Sequence, residues 1–208
     1  MPKVILINGS PRAMGNTRMA LREMERYLQS EGIETQCIQI GNRNIRGCAV
    51  CGKCSELGHC VVDDEVNQVA ELLRDADGLV IGTPVYYASP NGTLISFLDR
   101  LFYSASFDKS MKVGAAVAVA RRGGCTAALE VLNKYFIISG MPIAPSQYWP
   151  MAHGNEMGEA VFDEEGMQTM RRMAVNMAFL IKSIALGKAQ LGAPTLDEPR
   201  LWTNFISK

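Results

Sequence analysis

The amino-acid sequence predicts an α/β fold built on a doubly wound sheet of five parallel strands. Short apolar runs recur along the 208 residues, and helical stretches of ten or more residues separate them. The first run ends in Gly-Ser-Pro, as a buried parallel strand does where it meets a loop. Strands that alternate with helices of this length need right-handed crossovers, which make the sheet parallel and cover both of its faces. A chain of this length is most simply one domain.

The individual elements follow from the apolar pattern. Apolar runs predict strands at residues 3–8, 34–40, 78–85, 112–120 and 141–149. Apolar residues at helical spacing and, for the second helix, a preceding pair of aspartates predict helices at residues 17–28, 66–76, 92–105, 124–137 and 164–186. We expect the strand order 2-1-3-4-5, with a cysteine-rich loop after the second strand.

The composition limits the classes of partner. The chain has 21 basic and 21 acidic residues and no Lys- or Arg-rich run, so neither nucleic acid nor an anionic membrane is expected as a partner. No run of about 18 apolar residues occurs, and the first apolar run is too short for a signal peptide. We therefore expect a cytoplasmic protein whose partners are small molecules or other proteins.

The end of the chain differs from the rest. Residues 188–208 lack helical periodicity and carry Pro, Trp and Phe. A polar tail would be disordered, whereas this one is expected to pack on its own domain, residues 1–187, or on a neighbouring subunit.

The loop after the first strand has the features of an anion site. Residues 9–15 lead into a helix whose first N–H groups are free to bind an anion. A nucleoside-triphosphate loop would need Lys at Asn16, and a dinucleotide loop would need a further Gly two positions after the first. The hydroxyl and amide donors Ser10, Asn16 and Thr17, with Arg12 as an additional cation, suit a phosphate monoester instead. The alternative is a plain connection between strand and helix.

The third strand should supply the second wall of a site, because ligands of open parallel sheets bind beyond the strand ends where the strand order reverses. Its end reads TPVYYASPNGTLISFLDR. Apolar and aromatic side chains held by prolines suit a flat heteroaromatic ring, whereas the alternative is a Pro-rich turn with surface tyrosines. The candidate ring contacts are Pro84, Val85, Tyr86 and Tyr87.

The fourth strand ends in ARRGGCTA, which again places a glycine pair before a helix. Gly123 and Gly124 would let the backbone approach a ligand closely. Backbone N–H groups or the Arg121 guanidinium could stabilise negative charge on a reduced ring. A phosphate loop, an aromatic wall and a glycine-rich third loop at one edge together indicate a flavin mononucleotide (FMN) site.

Two of these motifs resemble a known family. GSPRAMGNT and TPVYYASPNGTLISFLDR are similar to motifs of the NAD(P)H-dependent FMN reductases, which are flavodoxin-like proteins, and the likeness covers roughly residues 1–185. The resemblance implies that residues 121–124 line the pyrimidine end of the flavin. It also implies that the phosphate is held by Ser10, Arg12, Asn16 and Thr17, and that the ring lies against Pro84, Val85, Tyr86 and Tyr87.

Four of the six cysteines are concentrated in GCAVCGKCSELGHC, residues 47–60. Cys48, Cys51, Cys54 and Cys60 follow the pattern C-x2-C-x2-C-x5-C, whose first two spacings are those of a ferredoxin cluster loop. Structural zinc more often uses two C-x2-C pairs that are a dozen or more residues apart. The spacing therefore favours iron-sulfur over zinc.

Within the FMN reductase family, this cysteine motif resembles that of the iron-sulfur flavoproteins. The resemblance implies a 4Fe-4S cluster beside FMN and single-electron transfer. FMN can accept a hydride and release its two electrons one at a time, so a nearby cluster would serve to separate the two electrons. The same cysteines could instead be free thiols, a disulfide or a zinc site.

Three functions remain open on the sequence alone. The first is an iron-sulfur flavoprotein that relays electrons from a reduced carrier such as ferredoxin. The second is a cluster-free reductase that uses NAD(P)H to reduce free flavin or quinones, and the third is a metal-stabilised interaction module without enzymatic activity. Hydride transfer needs no protein residue as a general base, so we assign no catalytic residue. We expect a homodimer or homotetramer.

Overall fold

A computed structural model describes residues 1–195 together with 198, 199, 201, 203 and 205. Its strands are β1 (Lys3–Asn8), β2 (Glu34–Gln39), β3 (Gly78–Tyr86), β4 (Ser89–Pro90), β5 (Val113–Ala120) and β6 (Met151–His153). Its helices are α1 (Asn16–Ser30), α2 (Cys54–Leu57), α3 (Glu65–Arg74), α4 (Gly92–Ser104), α5 (Cys125–Ile138) and α6 (Glu164–Leu191), with a 3-10 turn at Glu159–Phe162.

Five strands form one parallel sheet in the order β2-β1-β3-β5-β6. This is the predicted doubly wound topology, which is therefore confirmed. The two-residue strand β4 pairs with the end of β3 in an antiparallel hairpin beyond the sheet. Because the parallel strands share one direction, the loops after β1, β3 and β5 meet at the same edge.

The sheet is covered on both faces, and β1 shows why. Its side chains alternate between the two faces, so Ile5 and Ile7 pack with α3, α4 and α5, whereas Val4 and Leu6 pack with α1 and α6. Every one of these four residues is fully buried. The α6 side of the core is rich in methionine, which fills irregular space between helices.

The fifth parallel strand lies later in the chain than predicted. Residues 141–149 contribute only a bridge between Ile143 and Gly114, and regular pairing with β5 begins at Met151. The prediction of a strand at 141–149 was therefore wrong. Pro145 and Pro150 flank the irregular part, and proline has no N–H to donate to a strand ladder.

Helix α6 also extends further than predicted. It continues past Gly187 to Leu191, and Gly192 is its C-cap residue. The packing of the tail on the domain or on a neighbour stays a prediction, because it depends in part on positions outside the described residues, namely 196, 197, 200, 202, 204 and 206–208. No helix within the described part of the chain is both long enough and apolar enough to cross a membrane.

Candidate functional site

The three loops singled out in the sequence lie side by side at the carboxyl edge of the sheet. The backbone N–H of Gly9 donates to the carbonyl of Gly82 at 2.8 Å, and the side-chain amide of Asn91 donates to the carbonyl of Gly9 at 2.9 Å. These bonds join the loop after β1 to strand β3 and to the start of α4. The loop after β5 is equally close, because a Cβ on Gly124 would lie 2.9 Å from Cγ1 of Val85.

Two helices begin at this edge without a side-chain cap. The N-caps of α1 and α5 are Gly15 and Gly124, which have no side chain to accept from the first-turn N–H groups. In contrast, Asp64, Asn91 and Asp163 cap α3, α4 and α6 through their side chains. The free N–H groups and the helix dipole make the first turns of α1 and α5 the places where an anion is best stabilised.

The loop after β1, residues 9–15, which we call the phosphate loop, is held in a defined conformation. The Ser10 hydroxyl is buried and accepts from the N–H of Arg12 at 3.1 Å, and the N–H of Ser10 donates to Oδ1 of Asn8 at 3.1 Å. The Arg12 side chain is exposed. Thr17 lies in the first turn of α1 and is buried.

Asn16 has partners that the sequence did not reveal. Its side-chain amide donates to the carbonyl of Glu156 at 2.8 Å, and its Oδ1 accepts from the N–H groups of Gly158 and Ala160 at 2.9 and 3.1 Å. The side chain thus ties the start of α1 to the segment after β6. What Asn16 offers an anion is its backbone N–H in the first helical turn.

A layer of polar groups beneath the phosphate loop was missed by sequence reasoning. The Asn8 amide donates to Oε1 of Gln39 at 2.7 Å, and the Gln39 amide donates to the carbonyl of Ser10 at 2.6 Å. Gly41 packs so closely that a Cβ there would lie 2.2 Å from the carbonyl oxygen of Gly9. The available signal was that Asn8 and Gln39 are polar ends of two strands that are neighbours in the predicted sheet.

The predicted ring contacts lie on the hairpin formed by β3 and β4. Pro84 and Val85 are half-buried, Tyr86 is 47% exposed and Tyr87 is fully exposed. Tyr87 and Ala88 have φ values of 50° and 58°, so both turn residues adopt the left-handed conformation that residues with a side chain rarely take. Such strain concentrates at ligand sites, where surrounding contacts maintain it.

The loop after β5 is supported by a histidine on the neighbouring strand. Arg121 and Gly123 are exposed, as a ligand-lining position requires. Nε2 of His153 lies 3.1 Å from the carbonyl oxygen of Arg122, and the backbone N–H of His153 donates to Oδ2 of Asp163 at 2.7 Å. His153 therefore couples the end of β6 to this loop.

The four clustered cysteines line one cavity of about 240 Å³, which we call the cysteine cavity. Cys48 and Cys51 are exposed, Cys54 and Cys60 are half-buried, and all four are free thiols. Within the described residues, no three His, Cys, Asp or Glu side chains converge closely enough to hold a metal ion. The structure thus brings the four thiols to one cavity without placing their sulfur atoms in a ligating arrangement.

Arg100, on α4, anchors the last of these cysteines. It is only 2% exposed, and Nε and Nη2 each lie 3.3 Å from Sγ of Cys60. The guanidinium also binds both carboxylate oxygens of Asp64, at 2.5 and 2.9 Å. Burial opposes the charge, but the hydrogen bonds to Asp64 and Cys60 hold the pKa of Arg100 above its ordinary value.

Ser104 provides a test of whether the cysteine cavity suits an iron-sulfur cluster. Its side chain lines the cavity, and its hydroxyl is one of two buried side-chain polar atoms among the described residues without a hydrogen-bond partner. A buried hydroxyl without a partner is costly unless something in the cavity accepts from it. Four free thiols and a buried donor around one cavity fit a thiolate-ligated, sulfur-rich group.

The remaining two cysteines lie elsewhere and are packed as small apolar residues. Cys125 begins α5 and is buried, and Cys37 lies on β2. Burial raises the pKa of each thiol to about 11. Both therefore stay protonated near neutral pH and are poor metal ligands or nucleophiles.

Comparison with known proteins agrees with this geometry. Residues 2–156 match the family of NADPH-dependent FMN reductases. The chain belongs to the NADPH-dependent FMN reductase family. The resemblance in the phosphate loop and the β3 hairpin is therefore confirmed, and the chain is a member of a family of FMN-binding oxidoreductases with a flavodoxin-like fold.

Relatives of this FMN reductase family member carry a more specific name. An iron-sulfur flavoprotein of Methanocaldococcus jannaschii is 34% identical over 191 residues, which cover 88% of this chain and 98% of the relative. An iron-sulfur flavoprotein of Methanosarcina thermophila is 29% identical over 188 residues, with coverage of 88% and 96%. An NADPH-dependent FMN reductase of Pseudomonas putida is 31% identical over 99 residues, which cover 47% and 46%.

Solved structures share the fold. RosB, in a structure with bound 8-demethyl-8-formylriboflavin-5'-phosphate, superimposes with a TM-score of 0.70 at 17% identity, covering 100% of this chain and 97% of RosB. An archaeal flavodoxin superimposes with a TM-score of 0.59 at 15% identity, covering 88% and 99%. At these identities the likeness establishes the flavodoxin-like fold, which the sequence had predicted.

Proposed function

We propose that the protein is an electron-transfer flavoprotein in which FMN exchanges electrons with a 4Fe-4S cluster held by Cys48, Cys51, Cys54 and Cys60. The observation that carries the proposal is the cysteine cavity, because it brings together four free thiols and a buried hydroxyl with no partner. The names of the two archaeal relatives, which align over most of their length, support the same assignment.

In this proposal the phosphate of FMN binds at the uncapped start of α1. The first-turn N–H groups, the hydroxyls of Ser10 and Thr17 and the exposed guanidinium of Arg12 supply neutral donors and one positive charge. The side chain of Asn16 contributes by fixing the segment after β6 against α1. This set of donors suits a phosphate monoester better than a polyphosphate, because it contains a single cation.

The flavin ring would lie between the β3 hairpin and the loop after β5. Pro84, Val85, Tyr86 and Tyr87 supply the apolar and aromatic wall, and backbone N–H groups of residues 121–124 and Arg121 supply donors for the pyrimidine end. When bound, FMN supplies hydride and single-electron chemistry, and the protein binds and orients it.

The exposed thiols indicate how the cluster site is completed. Cys48 and Cys51 are exposed, and the apolar side chains of Leu57, Val61 and Tyr103 beside them are 48%, 53% and 67% exposed. A second subunit that covers this surface would shield a cluster from water and oxygen, so we propose a homodimer or homotetramer. The electron donors we propose are ferredoxin or NAD(P)H, with no role for nucleic acid or a membrane.

One observation favours a second candidate, a cluster-free NAD(P)H-dependent reductase of free flavin or quinones. The sulfur atoms of the described cysteines do not converge. The Pseudomonas relative that matches about half of this chain is named an NADPH-dependent FMN reductase. The third alternative from the sequence, a metal-stabilised interaction module without enzymatic activity, requires a protein that binds neither FMN nor an iron-sulfur cluster.

Anaerobic purification separates these candidates. We expect one FMN and about four iron and four acid-labile sulfide per chain, together with a broad charge-transfer absorbance beside the flavin bands. The Cys54→Ala variant should lose iron and sulfide but keep FMN, whereas the control Cys37→Ala should keep all three. FMN without iron or sulfide in the unmodified protein would favour the second candidate, and a colourless protein the third.

The donor is tested with the same preparation. Anaerobic mixing with reduced ferredoxin should bleach both the flavin and the cluster absorbance, whereas NADPH is the donor expected for the cluster-free reductase. Rapid reduction by NADPH with no reduction by ferredoxin would identify NADPH as the donor, and failure of both donors to reduce the cluster would contradict the relay assignment.

A further inference from the structure

Arg100 directs all three of its side-chain nitrogens to residues 46–64, which contain the four clustered cysteines. Nε and Nη2 donate to Sγ of Cys60, and Nη2 also donates to the carbonyl of Val62 at 3.1 Å. Nη1 donates to the carbonyl of Arg46 at 3.4 Å, and Nη1 and Nη2 both donate to the carboxylate of Asp64. Its five N–H groups have a fixed planar geometry, which sets where Cys60 lies relative to α4. Arg100 is thus built to hold one thiolate ligand and to donate to its sulfur.

Ser104 lies one helical turn further along the same face of α4, at position i+4 from Arg100. It is buried, it lines the cysteine cavity, and its hydroxyl has no partner among the described residues. A hydroxyl in this position can donate to an acceptor inside the cavity. Arg100 and Ser104 therefore present a row of donors to the wall of the cavity.

We propose that Arg100 and Ser104 tune the iron-sulfur cluster, Arg100 by donating to the Cys60 ligand sulfur and Ser104 by donating to a sulfur within the cavity. This inference rests on the proposed function. One-electron reduction adds negative charge to the cluster, and hydrogen bonds to its sulfurs stabilise that charge. The two residues thus make the cluster easier to reduce, while the guanidinium remains protonated throughout.

The ion pair with Asp64 offers an alternative, purely structural explanation for the burial of Arg100. A structural role and a tuning role for Arg100 predict different measurements. Asp64 caps α3 by accepting from the N–H of Val66 at 3.0 Å, so its pairing with Arg100 also fixes the start of that helix. A structural role predicts effects on unfolding. A tuning role predicts effects on the cluster potential in protein that is folded and loaded.

The test is an anaerobic dithionite titration of the cluster-loaded protein, followed by electron paramagnetic resonance. Dithionite supplies the electron, and the variants are Ser104→Ala and Arg100→Lys. Ser104→Ala should lower the reduced-to-oxidised ratio at a fixed potential by roughly threefold, as expected for one hydrogen bond. Arg100→Lys keeps the charge but loses the planar fork, and should lower the ratio about tenfold, equivalent to about 59 mV for a one-electron couple.

Ser96→Ala is the matched control. Ser96 lies on the same face of α4, at i−4 from Arg100, and does not line the cysteine cavity. The cluster potential of Ser96→Ala should equal that of the unmodified protein. The FMN potential should be unchanged in every variant. Ser104→Ala should also leave the unfolding midpoint of the cluster-free protein unchanged or slightly raised, because the hydroxyl it removes has no partner there.

The outcomes separate this inference from the proposed function. Unmodified protein without iron and sulfide would overturn both. A normally loaded protein whose Ser104→Ala and Arg100→Lys variants keep the original potential would overturn the tuning role and leave the relay function intact. If Arg100→Lys fails to fold or load, Ser104→Ala decides alone, and an equal shift in Ser96→Ala would overturn the inference as a non-local effect.

Discussion

The phosphate loop and the cysteine segment, residues 47–60, are built in opposite ways. The phosphate loop is buried at Ser10 and rests on the side chains of Asn8, Gln39 and Asn91. The cysteine segment is mostly exposed and is fixed mainly at its end, where side chains on α3 and α4 hold Cys60. In the proposed assignment, folding alone completes the phosphate site, whereas the cluster site would have one fixed ligand, Cys60, and three ligands that can still move.

The difference has a thermodynamic consequence. A preformed site binds its ligand without ordering any loop, so little of the FMN binding energy is lost to conformational entropy. Metal-binding sites more often couple binding to local folding, because the ligands must be deprotonated and brought together around the metal. We therefore expect FMN to raise the stability of the protein through binding alone, and the cluster to raise it partly by ordering residues 47–59.

The largest expected effect comes from adding one methyl group in each region. In Gly41→Ala the new Cβ would lie 2.2 Å from the Gly9 carbonyl oxygen, and backbone cannot move aside cheaply. We expect a loss of about 3 kcal/mol in the free energy of unfolding and at least a tenfold loss of FMN affinity. Urea unfolding and FMN fluorescence titration measure the two quantities.

Gly47→Ala is the matched control in the cysteine segment. Its Cβ would lie 3.8 Å from Oγ of Ser96, which is ordinary contact. It should change the unfolding free energy by less than about 0.5 kcal/mol and leave FMN affinity unchanged. Equal losses in Gly41→Ala and Gly47→Ala would mean that the two regions are equally rigid and would contradict the difference described above.

Cysteine alkylation gives the next largest contrast. The half-buried thiol of Cys37 and the buried thiol of Cys125 each have a pKa of about 11, so at pH 8 about one molecule in a thousand is thiolate at each. Cys48 and Cys51 are exposed. In cluster-free protein, iodoacetamide should label Cys48 and Cys51 at least a hundredfold faster than Cys37 and Cys125, as measured by mass spectrometry.

The same pKa values determine how the thiols of Cys37 and Cys125 affect the free energy of unfolding as the pH changes. A folded-state pKa of about 11 lies above the ordinary value of 9.0, so the protonated form of each of these two thiols stabilises the fold below about pH 9. This contribution is lost as the pH rises toward 11. Rapid labelling of Cys125 in folded protein at pH 8 would contradict both statements.

Two asparagines, one supporting each region, can be substituted to compare how the two regions are held. The expected changes in the free energy of unfolding are smaller than that of Gly41→Ala. The Asn91 side chain caps α4 and donates to the Gly9 carbonyl, so Asn91→Ala should cost about 1–2 kcal/mol and weaken FMN binding severalfold. The Asn67 side chain accepts from the Cys60 N–H at 3.0 Å and donates to its carbonyl at 2.9 Å. Asn67→Ala should cost about 1 kcal/mol and reduce iron content while FMN affinity is unchanged.

Calorimetric FMN titration and iron analysis of both variants give the two readouts. The comparison holds only if the effects stay separate. Loss of FMN affinity in Asn67→Ala, or loss of iron in Asn91→Ala, would show that the two sites are energetically coupled.

The sequence predicted the repeating part of the structure better than the supporting contacts. The apolar run of β1 and its Gly-Ser-Pro end identified the strand, the loop and the edge at which the site lies. The fifth strand was misplaced because residues 141–149 are apolar enough for a strand, whereas the prolines that interrupt its ladder act through missing hydrogen bonds. Local composition predicts burial, but pairing depends on the partner strand.

The site residues show the same division. Ser10 and Thr17 were predicted as phosphate contacts because their hydroxyls lie beside the free N–H groups of a helix start, and this assignment stays a prediction. Gly41 and Arg100 could not be predicted, because their importance comes from contacts with residues 32 and 40 positions away in the chain. A single sequence does not show which distant backbone a glycine touches or which cysteine an arginine holds.

The smallest expected effect tests the strain found in both regions. Val50 in the cysteine segment and Tyr87 in the β3 hairpin are highly exposed and have φ values of 52° and 50°. Replacing either with glycine removes a strain of about 1–2 kcal/mol but adds unfolded-state entropy, so urea unfolding should show a net gain of about 0.5 kcal/mol. Tyr87→Gly should also weaken FMN binding, whereas Val50→Gly should not.

The inverse control is Gly52→Ala, where φ is 72° and no atom lies within 4 Å of the added Cβ, so any loss of stability comes from backbone strain alone. A loss of stability in both glycine variants would show that the left-handed conformations carry no strain, and the aromatic wall would then owe its shape to the Tyr87 side chain.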